Sequence, residues 1–205
     1  MNNYTSCSVG NVFFLLSFKQ FFVFTELELE SADQTVKVLN VGFGMGIVDG
    51  LFQEILISNE LKFEHHVIEG HPDVLKRIPT YGYKNLVVHE GSWQKILPNL
   101  TDQKFDIVYF DTYAEYDDSF FEFLSFLPKI MKETGKFSFF NGNCPDNIFF
   151  HGVACEVIRL KMVELGMSVV FSEMEIDANK DKIWEDVKRR YWFRKSYYLP
   201  LAKFE

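Results

Sequence analysis

The sequence predicts one α/β domain with a mostly parallel sheet. From residue 36 onward, short apolar runs alternate with longer amphipathic stretches, which is the pattern of a parallel sheet flanked by helices. The first apolar run leads into a glycine-rich turn at residues 42–46. The last apolar run, residues 191–201, has the aromatic, half-exposed composition of an antiparallel strand.

Seven strands and five helices follow in order. The predicted strands are 36–41, 63–69, 85–90, 105–111, 136–141, 167–175 and 191–201. The predicted helices are 47–58, 72–81, 93–100, 119–131 and 153–165. The fourth strand, FDIVYFD, is apolar almost throughout, so we expect it to be buried on both faces. Gly166 is the expected glycine after the last helix.

Composition narrows the class of protein. The chain has 205 residues, 47% of them hydrophobic, which suits one domain with a sizeable core. Its net charge of −8 argues against nucleic acid as the main partner, because phosphate binding requires a basic face. Cys7, Cys144 and Cys155 form no CxxC pair and are odd in number, which favours a reduced, intracellular setting.

The apolar segment 12–24 (VFFLLSFKQFFVF) is the candidate for a membrane element. It is shorter than the roughly 20 residues that span a bilayer. We expect a buried helix or strand here and no membrane partner. A poorly ordered or wrongly joined terminus and a membrane role are the alternatives.

The turn after the first strand is the first candidate site. Gly42, Gly44 and Gly46 let the chain turn tightly and allow a ligand to approach the backbone. The spacing is G-x-G-x-G, whereas the usual dinucleotide fingerprint is G-x-G-x-x-G. A merely tight strand–helix turn is the alternative.

Two acidic residues end predicted strands. A carboxylate at Glu69 can accept hydrogen bonds from two ribose hydroxyls, and a solvated Glu before a turn is the alternative. Asp111 ends the buried fourth strand, at the edge where α/β sheets bind ligands; its alternative is a helix N-cap reinforced by Thr112. Asp106 begins that strand and is expected at the opposite edge.

The neighbouring histidines and Cys144 are interpreted as structural residues, with no role in metal binding or catalysis. His65 and His66 are adjacent in a strand, so they should point to opposite faces, and we expect no metal site with His71. Cys144 has no evident base nearby in the sequence, so we do not expect a nucleophile there.

These motifs resemble the type IV protein arginine methyltransferases, which are similar to guanidinoacetate N-methyltransferase. The matching segments are VLNVGFGMGIVDGLFQ, IEGHPDVL, EGSWQKIL, FDIVYFDTYAEY, FSFFNG and VKRRYW, within about residues 36–201. The combination of VGFGMG with YFDTY is specific. The resemblance implies a Rossmann-like, seven-stranded methyltransferase fold that uses S-adenosyl-L-methionine (SAM). It also implies methylation of the δ-nitrogen of arginine in protein substrates, in the cytoplasm and nucleus.

The resemblance also assigns roles at matching positions. The glycine loop would line the methionine part of SAM, Glu69 the ribose, and residues 91–93 the adenine. The implied cofactor-binding residues are Gly42, Phe43, Gly44, Met45, Gly46, Glu69, Gly91, Ser92, Trp93 and Asp111. Asp111 is the implied catalytic residue, which holds the guanidinium. The implied substrate-binding residues beside it are Thr112, Tyr113 and Asn141, and Gly142 would also face the site.

The chain departs from this family upstream of the glycine loop. There the family carries a helix with a Glu that is the second carboxylate on the guanidinium, whereas residues 13–24 contain no acid. Glu26, Glu28 and Glu30 alternate with Leu, which is typical of an exposed face. We therefore expect an atypical segment 1–35, truncated or misjoined, before a methyltransferase domain 36–205. A small-molecule guanidino methyltransferase and a catalytically weak cofactor-binding or interaction domain are the alternative functions.

Overall fold

A seven-stranded sheet organises the described part of the chain. The computed structural model describes residues 34–112, 118–175 and 193–205. The strands are β1 Val36–Val41, β2 Phe63–Glu69, β3 Leu86–Glu90, β4 Phe105–Phe110, β5 Met131–Phe139, β6 Met167–Glu175 and β7 Ser196–Phe204. Their order is β3-β2-β1-β4-β5-β7-β6, and β7 runs antiparallel to both neighbours. The mostly parallel sheet with an antiparallel C-terminal strand is confirmed.

Helices connect these strands. They are α1 Ile47–Ser58, α2 Pro72–Leu75, α3 Trp93–Ile96, α4 Asp118–Leu124, α5 Leu127–Ile130 and α6 Ile148–Glu164. Short 3₁₀ turns lie at Ile78–Tyr81 and Leu97–Asn99. Within the described ranges, no helix is long and apolar enough to cross a membrane. The segment 12–24 lies outside these ranges.

Two predicted helices, 72–81 and 119–131, are interrupted by two residues each, and the third, 93–100, passes without a gap from α-helix to 3₁₀-helix. In all three, the second piece has a proline as its second residue: Pro79, Pro98 and Pro128. Proline has no N–H to continue the helical ladder and its ring clashes with the preceding turn. The first helical piece therefore ends before each proline.

Several boundaries also differ from the sequence prediction. The strand β5 begins five residues earlier than predicted, because Met131 pairs with Phe105 before the register shifts. The helix α6 begins at Ile148, five residues earlier than predicted. Asn147 caps it there, because its Oδ1 accepts hydrogen bonds from the backbone N–H groups of Phe149 and Phe150, both at 3.1 Å. Gly166 follows this helix in the left-handed conformation, as predicted. Of the predicted last strand, residues 191 and 192 lie outside the described part, and β7 starts only at 196.

The core has two layers, one on each face of the sheet. All six residues of β4 are buried, which confirms the expectation of burial on both faces. On one face α1 packs through Val48, Leu51, Phe52 and Leu56, at helical spacing. The other face holds a phenylalanine-rich cluster from β4, β5 and α4. The central strands therefore lie between two layers of side chains.

At the edge where the parallel strands begin, Asp106 stabilises the sheet. Asp106 lies there, as predicted: its carboxylate accepts a hydrogen bond from the Lys37 backbone N–H at 2.8 Å and one from Lys132 Nζ at 2.7 Å. This carboxylate therefore ties β4 to β1 and β5, at the end of the sheet opposite to the glycine loop.

A buried polar network joins β1, α1 and β2. Asp49 and His65 are both fully buried. Asn40 Nδ2 donates to both Asp49 carboxylate oxygens at 3.0 Å, and His65 Nε2 lies 3.0 Å from Oδ1, out of ideal hydrogen-bond alignment. The other ring nitrogen, Nδ1, lies 3.2 Å from Gln53 Nε2, so the imidazole contacts two side chains of α1.

Replacing His65 with leucine should destabilise the fold by about 3 kcal/mol, because it removes a partner from a fully buried carboxylate. Urea unfolding followed by far-UV circular dichroism measures this change. Lys76→Ala is the control, since its ion pair with Asp73 is largely exposed and should contribute little. Equal midpoints for His65→Leu and the wild type would contradict the proposed role of the network.

Candidate functional site

The glycine loop after β1 presses against the end of β4. Gly42 has φ of 97°, and a Cβ built on it would lie 2.1 Å from the Asp111 carbonyl oxygen. The Gly42 N–H donates to Ile68 O at 2.9 Å, and the Asp111 N–H donates to Val41 O at 2.8 Å. Only glycine fits at position 42, and its backbone brings the ends of β1, β2 and β4 together.

The same loop leads directly into α1. Gly46 precedes the helix in the left-handed conformation, and a Cβ there would lie 2.6 Å from the Phe43 ring. The Gly46 N–H donates to Phe43 O at 2.8 Å, which closes the turn. The N-terminus of a 12-residue helix, a favourable place for electron-rich groups, therefore stands at this edge.

Glu69 contacts the loop directly. Its Oε2 accepts hydrogen bonds from the backbone N–H of Phe43 at 3.0 Å and of Gly44 at 3.4 Å. Its Oε1 accepts one from the His71 N–H at 2.6 Å. The side chain is half-buried. The structure therefore brings Glu69 and the glycine loop into one site, as their positions in the sequence suggested.

The turn at residues 91–93 adjoins Glu69 through its backbone. The Gly91 N–H donates to Glu69 O at 2.8 Å, and Ser92 is exposed just before α3. The Trp93 ring is only 6% exposed and packs edge-on against Phe123 in the core, with 5.5 Å between centroids. At the sheet edge, this turn therefore exposes its backbone and Ser92, whereas the Trp93 side chain lies in the core.

Asp111 lies one residue beyond β4, with half-buried Thr112 after it. Part of the residue reaches solvent, but protein atoms surround its carboxyl. Burial raises the pKa of Asp111 from 3.8 to about 7, and the negative charge of Asp49 adds to this shift. The carboxyl thus changes charge near neutral pH. Tyr113, the other predicted pocket residue, lies outside the described residues.

Asn141 follows β5 at the same edge but points inward. It is fully buried; its N–H donates to Tyr197 Oη at 2.6 Å, and its Nδ2 donates to Tyr198 O at 2.8 Å. These bonds tie the loop after β5 to β7. The structure therefore places Asn141 behind the site's surface, as a support for it, and its role in substrate binding stays a prediction.

Three residues near the loop were not singled out from the sequence. Tyr81 and Tyr83 donate hydrogen bonds to loop carbonyl oxygens, and the charge of Asp49 acts on Asp111. The sequence did contain a sign of a role for Asp49, because it is an acid among apolar residues in the first turn of a helix. The tyrosines gave no such signal, because their partners are distant in sequence.

The two adjacent histidines face opposite sides of the sheet, as predicted. His65 contacts Asp49 on the α1 side, whereas His66 Nδ1 lies 3.0 Å from His89 Nε2 on the other side. In the part of the chain that the structure describes, no three His, Cys, Asp or Glu side chains are grouped to hold a metal ion.

The strand order is that of the Rossmann-like methyltransferase fold. Among solved structures, the O-methyltransferase TomG from Streptomyces achromogenes, in complex with SAM, is 14% identical, with a TM-score of 0.54 over 95% of this chain and 78% of that one. The precorrin-6y C5,15-methyltransferase from Geobacter metallireducens is also 14% identical, with a TM-score of 0.55 over 87% and 83%. At these identities the likeness concerns the fold.

Sequence comparison gives the family. A family model described as Guanidinoacetate N-methyltransferase matches residues 22–148, which is more than half of the chain, and the chain belongs to that family. Protein arginine N-methyltransferase 2 from Aspergillus oryzae is 39% identical over 82% of this chain, and that from Yarrowia lipolytica 35% over 82%. The chain spans 41% and 36% of the lengths of these relatives. The resemblance described above is confirmed.

Asp111→Asn should stabilise the fold above neutral pH. Because the folded-state pKa is raised, the folded protein is penalised for ionising this carboxyl as pH rises from 3.8 to about 7. The variant lacks this penalty, so its advantage should be absent at about pH 4 and complete by about pH 8. Urea unfolding at both pH values measures it. An equal difference between variant and wild type at both would contradict the raised pKa.

Proposed function

We propose that this chain binds SAM and transfers its methyl group to the δ-nitrogen of arginine side chains in proteins. The observation that carries the proposal is the contact of Gly42 with the Asp111 backbone, which sets a carboxylate beside the glycine loop. The named relatives, protein arginine N-methyltransferases, support a protein substrate. We extend the proposal to action in the cytoplasm and nucleus.

The residues at the sheet edge fit this cofactor. The loop 42–46 offers backbone that a ligand can approach closely, since its glycines carry no side chain, and α1 begins directly behind it. Glu69 has two carboxylate oxygens at the end of β2, suited to a pair of ribose hydroxyls. The turn at Gly91 and Ser92 would flank the adenine. When bound, SAM supplies a methyl group that its sulfonium charge activates.

Glu69→Ala should weaken binding of S-adenosylhomocysteine on the order of 10- to 100-fold, because it removes charge-assisted hydrogen bonds of roughly 1.5–3 kcal/mol. Isothermal titration calorimetry of the folded variant measures the affinity. Glu64→Ala is the matched control, since Glu64 lies on the same strand at the opposite edge of the sheet. If both variants bound as the wild type does, the ribose assignment would be wrong.

Asp111 serves the acceptor in this proposal. A guanidinium is protonated at any cellular pH and presents N–H donors in a fork that suits a carboxylate. The Asp111 carboxylate would accept these hydrogen bonds, orient one nitrogen and help to take up the proton that methylation releases. A bound cation lowers the pKa of a neighbouring carboxyl, so the guanidinium itself would keep Asp111 ionised.

The family's second carboxylate has no counterpart in residues 13–24, which contain no acid. Glu26, Glu28 and Glu30 lie outside the described residues. One carboxylate instead of two gives less orientation, and misplacement of reacting atoms by about 1 Å can cost around 100-fold in rate. We therefore expect slow methyl transfer from this chain. In the extreme case, the chain would bind the cofactor and transfer almost no methyl groups.

A small guanidino compound is the second candidate acceptor. The match of residues 22–148 to the Guanidinoacetate N-methyltransferase model favours it. Both acceptors present a guanidinium to Asp111. A protein substrate also needs an open approach to Asp111 for the rest of its chain, whereas a small compound does not.

Asp111→Asn should abolish methyl transfer while it leaves S-adenosylhomocysteine affinity nearly unchanged, because an amide cannot pair with a guanidinium as a carboxylate does. The assay is transfer of tritiated methyl groups to arginine-rich proteins and, separately, to guanidinoacetate. Amino-acid analysis of the labelled protein then identifies δ-methylarginine.

Asp102→Asn is the control for this experiment, since Asp102 is exposed in the loop before β4. Labelling of guanidinoacetate alone would replace the first proposal by the second. Wild-type activity in Asp111→Asn would refute both.

A further inference from the structure

Two tyrosines hold the carbonyl side of the glycine loop. The Tyr81 hydroxyl donates to Met45 O at 2.8 Å, and the Tyr83 hydroxyl donates to Gly46 O at 2.7 Å. The two rings stack on each other with 5.3 Å between centroids. Both tyrosines come from the segment between α2 and β3, so the loop is anchored from a distant part of the chain.

The amide side of the same loop is held by Glu69, through the N–H groups of Phe43 and Gly44. The Phe43 ring in turn packs edge-on against Tyr81, at 5.3 Å between centroids. The peptide groups of the loop are thus fixed from two sides, with amides towards Glu69 and carbonyls towards the tyrosines. A loop with three glycines in five residues would otherwise have much conformational freedom.

The surroundings of Tyr83 keep its hydroxyl a donor. Burial raises the pKa of Tyr83 to about 12, and the negative charge of Asp49 and the neighbouring Tyr81 add to the shift. Gly50 leaves the space for this hydroxyl, because a Cβ built on Gly50 would lie 2.9 Å from Tyr83 Oη. A side chain at position 50 would therefore compete with the hydrogen bond to the Gly46 carbonyl.

We propose that Tyr81 and Tyr83 are positioning residues that hold the glycine loop in the conformation that receives SAM. This inference rests on the proposed function, since it assigns the loop to that cofactor. A loop fixed before binding loses less conformational entropy when the ligand arrives, so the hydroxyls act on affinity without touching the ligand. Neither tyrosine takes part in the methyl transfer itself.

The test compares Tyr81→Phe, Tyr83→Phe and the double variant, which remove the hydroxyls and keep the rings. Each single change should weaken S-adenosylhomocysteine binding about fivefold in calorimetry, and the double change by more than tenfold. Hydrogen exchange at the loop amides should become faster. In activity assays the KM for SAM should rise while kcat at saturating SAM stays nearly constant. Thr80→Val is the control, since its hydroxyl in the same turn donates to Arg77 O and not to the loop.

Gly50→Ala gives an independent test that keeps both tyrosines, because the added methyl group displaces the Tyr83 hydroxyl. It should weaken binding as Tyr83→Phe does. Wild-type affinity and unchanged loop exchange in the double variant would overturn this inference alone. A wild-type chain that binds neither SAM nor S-adenosylhomocysteine would overturn the proposed function, and this inference with it.

Discussion

The close contact between the Gly42 backbone and the Asp111 carbonyl determines how the site is built. A side chain at position 42 would meet that oxygen at 2.1 Å, so the loop can lie against β4 only because it has none. The contact joins the turn after β1 to the carboxylate after β4, while Glu69 joins the same turn to β2. Three parallel strands thus deliver their functional groups to one point, and two packed layers of core side chains hold them there.

The sequence predicted those parts of the fold that local pattern decides. The bounds of β1, β2, β6 and α1 match their predictions, since apolar runs and amphipathic spacing end there at glycine or polar residues. The predicted helices around Pro79 and Pro128 are interrupted, and the one around Pro98 changes from α to 3₁₀. Apolar periodicity continues across these prolines, but a proline backbone cannot continue the helical hydrogen bonds. The early start of β5 depends on pairing with a strand more than twenty residues away, which no local pattern contains.

The same division applies to the site. The glycine loop, Glu69 and Asp111 are predictable because each stands at the carboxyl end of a recognisable strand. The burial of Asn141 is not, because it depends on where β7 lies after a long stretch of chain. Nor is the anchoring of the loop by Tyr81 and Tyr83, whose partners are 36 and 37 residues away. Residues at the carboxyl ends of strands follow from topology, whereas residues that hold them in place follow from packing.

The electrostatics of the site favour cationic ligands. Asp49 is fully buried behind the loop, and its negative charge opposes the ionisation of Asp111 and helps to raise the pKa of that carboxyl. A positive charge placed beside Asp111 relieves this repulsion, whether a sulfonium or a guanidinium carries it. Ionised Asp111 destabilises the unliganded protein, and a bound cation offsets this destabilisation. A neutral group placed at the same position would leave the repulsion between the Asp49 and Asp111 charges unchanged.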